Sequence, residues 1–154
     1  MPNQLVTFVL NEQHYALPLG SVQRVVRMAE TTPLPNAPEI VVGVIDLRGQ
    51  IVPVLSMRKR FGLPEPEPRL SDQLIVADTA QRTVALVVNS VTGVIERTPE
   101  EVTNAQSIVP GSQHVEGISR LENGILFIHN LQRFLSQQEE HQLHNVLAQQ
   151  AGRG

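Results

Sequence analysis

Gly43-Val44-Ile45-Asp46-Leu47-Arg48-Gly49-Gln50-Ile51-Val52-Pro53-Val54-Leu55 reads as strand, tight turn, strand. Residues 44–47 and 51–55 are short apolar runs rich in β-branched side chains, and such runs bounded by turn signals suit buried strands. Arg48-Gly49 is a two-residue link whose glycine is free to take positive φ. Pro53 donates no ladder hydrogen bond, which places it on an edge strand or at a bulge. Arg48 is the odd member, a long cation at the tip of an apolar hairpin where no core needs it.

Upstream, residues 5–10 and 14–19 read as two strands around the turn Asn11-Glu12-Gln13, and Val22, Val25 and Val26 continue an apolar face. Residues 31–38 hold three prolines and read as an extended loop. Downstream, Ser56 caps a short helical turn over 57–61 that Gly62 closes. Pro64-Glu65-Pro66-Glu67-Pro68 follows as a stiff, exposed linker. The pattern then restarts. Gln4-Leu5-Val6 matches Gln73-Leu74-Ile75, and at that same distance Ala16-Leu17 matches Ala85-Leu86, Ser21-Val22 matches Ser90-Val91, and Val25-Val26 matches Val94-Ile95. At the slightly longer distance from Gly43 to Gly117 the hairpin recurs, with Ile51 matching Ile125, Val54 matching Ile128, and Ser56 matching Asn130. The extra residues fall in the loops of the second copy, within 98–113. This is an internal duplication. It predicts two similar lobes of about five short strands each, and short strands with Gly and Pro turns favour small barrels. Helical periodicity comes last. Asn130 caps 131–135, Ser136-Gln137-Gln138-Glu139 has the form of a capping box, and Leu143, Val146 and Leu147 form a narrow apolar stripe. Such a tail either covers one lobe or binds a partner, and residues 151–154 are expected to fray. The copies also act as a control. The hairpin glycines agree, whereas Arg48 is answered by Glu122 and Asp46 by Arg120, so charge at the tip is not a demand of the architecture.

The chain has 154 residues, room for one ordinary domain or two small lobes sharing a core. It is 41% hydrophobic, with only four Phe and one Tyr, which leaves little for base stacking. The net charge of −3, without a basic stripe, argues against nucleic acid. No cysteine is present, so disulfides, thiolate catalysis and cysteine zinc sites are excluded. No signal peptide is expected at the N-terminus, and no apolar run reaches the ~18 residues of a membrane helix. The three aspartates, Asp46, Asp72 and Asp78, lie in no nucleophile motif, and Lys59, the one lysine, belongs to no phosphate loop. His141 and His144 are spaced to share a helix face but lack a third ligand; His14 and His114 read as turn or loop residues, and His129 as a satisfied or half-exposed strand end. Glu100-Glu101 after Thr98-Pro99 is a helix-start signature, not a catalytic pair. No catalytic residue, cofactor or metal ligand is expected, which leaves a binding or scaffolding module.

Tyr15-Ala16-Leu17-Pro18-Leu19, Val22-Gln23-x-Val25, Pro33-Leu34-Pro35 and the Gly43 to Val54 string, with Leu86-Val87-Val88-Asn89-Ser90-Val91 and Gly117-Ile118, resemble the CheW family of bacterial chemotaxis coupling proteins over about 4–135. The resemblance implies an all-β fold of two five-stranded SH3-like barrels on a shared core. One domain would occupy 1–135, with lobe one at about 4–62, a linker at 63–72 and lobe two at about 73–135, strands being free to exchange between the lobes. A C-terminal helix and frayed tail would fill 136–154. It further implies a non-enzymatic, cytoplasmic adaptor between chemoreceptor tips and the regulatory domain of a CheA-type histidine kinase, reaching membranes only through the receptors. The receptor-facing positions carried over are Val22, Arg24, Arg48 and Gly49, and the structural hairpin positions are Gly43, Pro53 and Gly117. The family often has glutamate where this chain has Arg24; that reversal costs a partner built for the acid ~1 kcal/mol or more. Asn89 stands for a common aspartate and Asp46 for a common asparagine. The competing readings are an orphan scaffold outside chemotaxis and a small-molecule-binding β-barrel.

Overall fold

A computed structural model describes residues 3–64, 69–104 and 115–152. The strands are β1 (Asn3–Leu10), β2 (Gln13–Pro18), β3 (Val22–Arg27), β4 (Val41–Leu47), β5 (Gln50–Ser56), β6 (Gln73–Asp78), β7 (Thr83–Val88), β8 (Ser90–Arg97), β9 (Val102–Asn104), β10 (Val115–Leu121) and β11 (Gly124–His129), with helices α1 (Met57–Phe61) and α2 (Gln137–Gly152). They form two sheets, ordered β8-β1-β2-β11-β10-β9 and β3-β6-β7-β5-β4.

The duplication is visible in this order. By sequence match β1, β2 and β3 answer β6, β7 and β8, and β4 and β5 answer β10 and β11. The two sheets then have the same strand order, except that each combines the first hairpin of one copy with the remaining strands of the other. Each sheet therefore takes strands from both 4–62 and 73–135, the exchange between lobes that the expected division left open. Hairpin β1–β2 sits with the second copy, and β6–β7 with the first. Even the irregularities repeat. The β1–β8 register slips between Thr7 and Phe8, and the β3–β6 register at the matching place, between Val22 and Arg24. The β4–β5 slip between Val41 and Gly43 recurs between Val115 and Gly117. Strand β9 is the extra member, and its counterpart in the first copy is a single bridge from Thr32 to Val44.

Strand exchange gives three apolar layers. Val26, Ile45, Val52, Val54, Leu74, Ala85 and Val87 fill the inside of one lobe, with side chains from all five of its strands, so that sheet curls round its own core. Leu5, Ala16, Ile95, Val102, Leu121, Leu126 and Ile128 do the same in the other. The opposite faces of the two exchanged hairpins meet between the lobes, through Phe8, Leu10, Tyr15 and Leu17 on one side and Ile75, Ala77, Leu86 and Val88 on the other. Strands buried on both faces read as unbroken apolar runs, the signal seen in the sequence. The few aromatics are concentrated there too. Tyr15 lies 5.8 Å from Phe8, 5.6 Å from Phe61 and 6.0 Å from Phe127, and Phe134 meets Phe61 edge-on. His129 is buried in this cluster, stacked 4.5 Å from Phe61, and is not half-exposed.

Two other expectations change. Pro53 is neither on an edge strand nor at the bulge, because β5 lies between β7 and β4 and the slip falls in β4. Counted from the two-residue turn, Val44 and Pro53 form a pair that exchanges no hydrogen bonds. On the other side pairing with β7 begins only at Val54, so no neighbour asks Pro53 for an N–H. His14 belongs to strand β2, where it faces Val9 and Leu126; His114 lies outside the described residues. Thr98-Pro99-Glu100-Glu101 starts a helix as its signature implies, with Thr98 at the N-cap and both glutamates in the first turn, and the helix is a single 3-10 turn that runs straight into β9. Its Glu101 accepts the Thr98 N–H at 2.9 Å, and bonds from Thr98 hold its carboxyl below the usual carboxylate value.

The predicted caps are in place. Ser56 Oγ accepts the Lys59 N–H at 3.1 Å and Gly62 closes α1 at φ 68°. Ser136 and Glu139 exchange the two bonds of a capping box, at 3.1 and 2.9 Å. Helix α2 covers a lobe. Leu143 and Val146 are buried, Glu139 pairs with Arg60, Arg82 Nε donates to Glu140 at 2.7 Å, and Gln142 donates to the Asn36 carbonyl at 2.9 Å.

Candidate protein interaction site

The β4–β5 tip is a tight turn with both central residues left-handed, Arg48 at φ 53° and Gly49 at φ 90°. This is the geometry whose twist matches a hairpin, and it favours Asn-Gly or Asp-Gly. Asp46 Oδ1 accepts the Gly49 N–H at 2.7 Å and steadies the turn. An arginine held there is strained, since a Cβ in this region costs ~1–2 kcal/mol. The matching tip in the second copy, Glu122-Asn123, is not left-handed. The exposed Arg48 side chain points its charge at solvent from a backbone shape that its own residue type disfavours.

Gly43 and Gly117 have a different reason to be glycine. A Cβ on Gly43 would lie 2.6 Å from the Thr32 carbonyl oxygen, and one on Gly117 would lie 2.4 Å from Val102 Cγ1. In both copies a neighbouring segment crosses so closely that only a hydrogen fits.

Val22 and Arg24 sit on either side of the bulge in β3, and both are half-buried. The bulged residue, Gln23, is tied down by its amide, which donates to Asp78 Oδ1 at 2.7 Å and to Thr83 Oγ1 at 3.1 Å. That clamp fixes Val22 and Arg24 against the β6–β7 hairpin. The structure thus pairs Val22 with Arg24, and Arg48 with Gly49. It puts the two pairs on β3 and on the β4–β5 tip, at opposite edges of the strand order.

Five large apolar residues stand exposed among the described residues. Leu70 precedes β6, and the other four were not singled out from the sequence as a set. Val25 and Ile51 in one lobe are 36% and 55% exposed, and Val94 and Ile125 in the other are 54% and 50% exposed. They are the same two positions in the two copies. Their neighbours Val26 and Val52, and Ile95 and Leu126, face inward, so strand alternation turns these four out. That alternation is the signal that could have found them. Scattered surface apolar residues need no explanation, but the same pair turned out twice does.

The lobe interiors are filled by side chains, so neither lobe is a ligand-holding barrel. An 830 Å³ surface cleft lies at one end of the six-stranded sheet, beside Leu5, Leu19, Arg97 and Val102. Among the described residues no three His, Cys, Asp or Glu side chains converge on a metal-sized space, and His141 and His144 are exposed on α2. No helix among them is long and apolar enough to cross a membrane.

Comparison with known proteins adds names to this geometry. A family model described as the CheW-like domain matches residues 4–139. The chain is 26% identical to the chemotaxis protein CheW of Treponema pallidum, over 93% of this chain and 88% of that one. It is also 26% identical to the chemotaxis protein CheW of Klebsiella aerogenes, over 93% and 87%. The crystal structure of the scaffolding protein TtCheW from Thermoanaerobacter tengcongensis superposes with a TM-score of 0.79 at 28% identity, covering 90% of this chain and 96% of that one.

Proposed function

This chain belongs to the CheW-like domain family, and on that premise we propose that it is a non-enzymatic adaptor coupling chemoreceptor cytoplasmic tips to a CheA-type histidine kinase. The observation that carries the proposal is the duplicated pair of exposed apolar residues. A protein that turns the same two hydrophobic positions out of both lobes has two matched places to hold other β-lobes. In this reading Val94 and Ile125 seat the kinase regulatory domain, while Val22, Arg24, Arg48 and Gly49 face the receptor tip. State passes by geometry. Occupation of one surface shifts the preferred arrangement at the other, a coupling of ~1–3 kcal/mol in typical systems. The rigid shared core between the lobes supports this, because the exchanged hairpins make each lobe part of the other's wall. The protein would work in the cytoplasm and reach the membrane only through receptors.

Titration calorimetry against the regulatory domain of the CheA-type kinase from the same organism tests the role. A saturable isotherm near equimolar ratio, with affinity in the micromolar range (about −8 kcal/mol), is expected. Ile125→Ser should weaken it about tenfold while leaving the melting temperature nearly unchanged, since the side chain is half-exposed. Absence of any complex would remove the coupling role and leave the fold assignment standing.

A further inference from the structure

A second polar place has no part in the reading above. Arg58, in the first turn of α1, is only 4% exposed. Its Nε donates to Asn11 Oδ1 at 2.8 Å. Among the described residues this is the one bond its guanidinium makes, and no carboxylate pairs with it. Arg58 lines a cleft of 400 Å³ together with Asn11, Glu12, Arg69, Asp72 and Asn89. The surroundings are fixed. Asn11 is left-handed at φ 50°, its N–H donates to Asn89 Oδ1 at 2.8 Å, and its amide donates to the Pro64 carbonyl at 3.2 Å. The nearby carboxylate of Asp72 is already engaged, accepting the Arg69 N–H at 2.9 Å.

The duplication shows that the fold does not need this set. Gln132 stands for Arg58 in the second copy and Ala80 for Asn11. The matching place there, between Gln81 and Gln132, is walled by α2, whose Glu140 meets Arg82. The chain itself thus brings a helical carboxylate to an arginine beside the equivalent cleft.

We infer that the Arg58 cleft is a binding site for a carboxylate, of the kind an Asp or Glu side chain of a partner protein presents. With Nε held by Asn11, the other guanidinium donors of Arg58 open on the cleft, where a planar oxyanion can meet them in a two-bond fork. The charge count favours a monoanion. Arg58 and Arg69 are balanced by Asp72 and Glu12, so the cleft has no surplus positive charge for a dianion, and what it offers is one guanidinium fork, which a single carboxylate satisfies.

The test is a proton–nitrogen NMR titration of the intact chain with sodium acetate, with sodium phosphate, and with sodium chloride at equal ionic strength. Acetate should give saturable shifts at the Arg58 Nε–H and at the Asn11 and Asn89 side-chain amides. Arg58→Gln, the residue of the second copy, should weaken acetate binding at least about tenfold. Arg69→Gln, at an exposed position, should weaken it severalfold without touching the fold. Shifts that do not saturate, saturation by phosphate alone, or acetate binding unchanged in both variants would each overturn the assignment.

Discussion

Replacing Arg48 by asparagine should make the protein more stable and worse at its job. Arg48 is held at φ 53°, and Gly49 follows at φ 90°. Asparagine tolerates the left-handed region and Asn-Gly is the preferred pair for this turn. The arginine side chain is exposed, so its removal forfeits little packing. The backbone gain is about 1 kcal/mol, which for a domain of this size is a rise in melting temperature of roughly 2–4 °C. Binding should move the other way. If Arg48 anchors a receptor tip, its loss costs ~2 kcal/mol, about thirtyfold in affinity. Arg48→Ala is the control, because it removes the same cation but lacks the short polar side chain that eases asparagine into the left-handed region; it should bind as poorly with little change in stability. Thermal unfolding followed by circular dichroism, beside calorimetry against a receptor cytoplasmic fragment, reads both effects. Arg48→Asn that melts lower than the parent would refute the strain argument. Either variant binding receptor like the parent would refute the site.

Two further outcomes follow from the packing. Gly43→Ala should destabilise by ~2–3 kcal/mol in urea unfolding, because its Cβ meets a backbone oxygen at 2.6 Å and must break the Thr32–Val44 bridge, whose two hydrogen bonds are 2.8 and 2.9 Å long. Gly117→Ala should cost clearly less, since the nearest obstacle is the Val102 side chain, which can turn, and equal costs for the two would sink the explanation. Burial alone would raise the Glu139 carboxyl, but hydrogen bonds from Arg60 and Ser136 outweigh it and hold it below the usual carboxylate value of 4.5. The sign is that of a depressed acid, with its stabilisation of α2 present above 4.5 and lost as pH falls through the lower folded value. Hydrogen exchange in α2 should quicken over that acid range, and Glu139→Gln should flatten the dependence.

Much of this protein was written locally. The β4–β5 hairpin, the caps at Ser56, Asn130 and Ser136, the tight β1–β2 turn and the duplication are settled by neighbours a few residues apart, through strand alternation, turn chemistry and short side-chain bonds. Part of the candidate site was legible in the same way, since Arg48 falls at the tip of an apolar hairpin and has no counterpart in the second copy. Its left-handed backbone was not, because an Arg-Gly turn does not announce which of its residues takes positive φ. The exposure of Val25, Ile51, Val94 and Ile125 needed to be known strand by strand, since an apolar residue in an apolar run carries no label for its face. Which hairpin joins which sheet lay beyond local reading. The two copies have matching edges, so either arrangement satisfies the same alternation and the same turns. Only long-range pairing, β1 on β8 and β3 on β6, with the apolar layer it creates between the lobes, selects the exchanged form. The same holds for Arg58. Its sequence reads as the first turn of a capped helix, and only tertiary packing buries that charge beside Asn11 and Asn89, from strand ends 47 and 31 residues away in the chain.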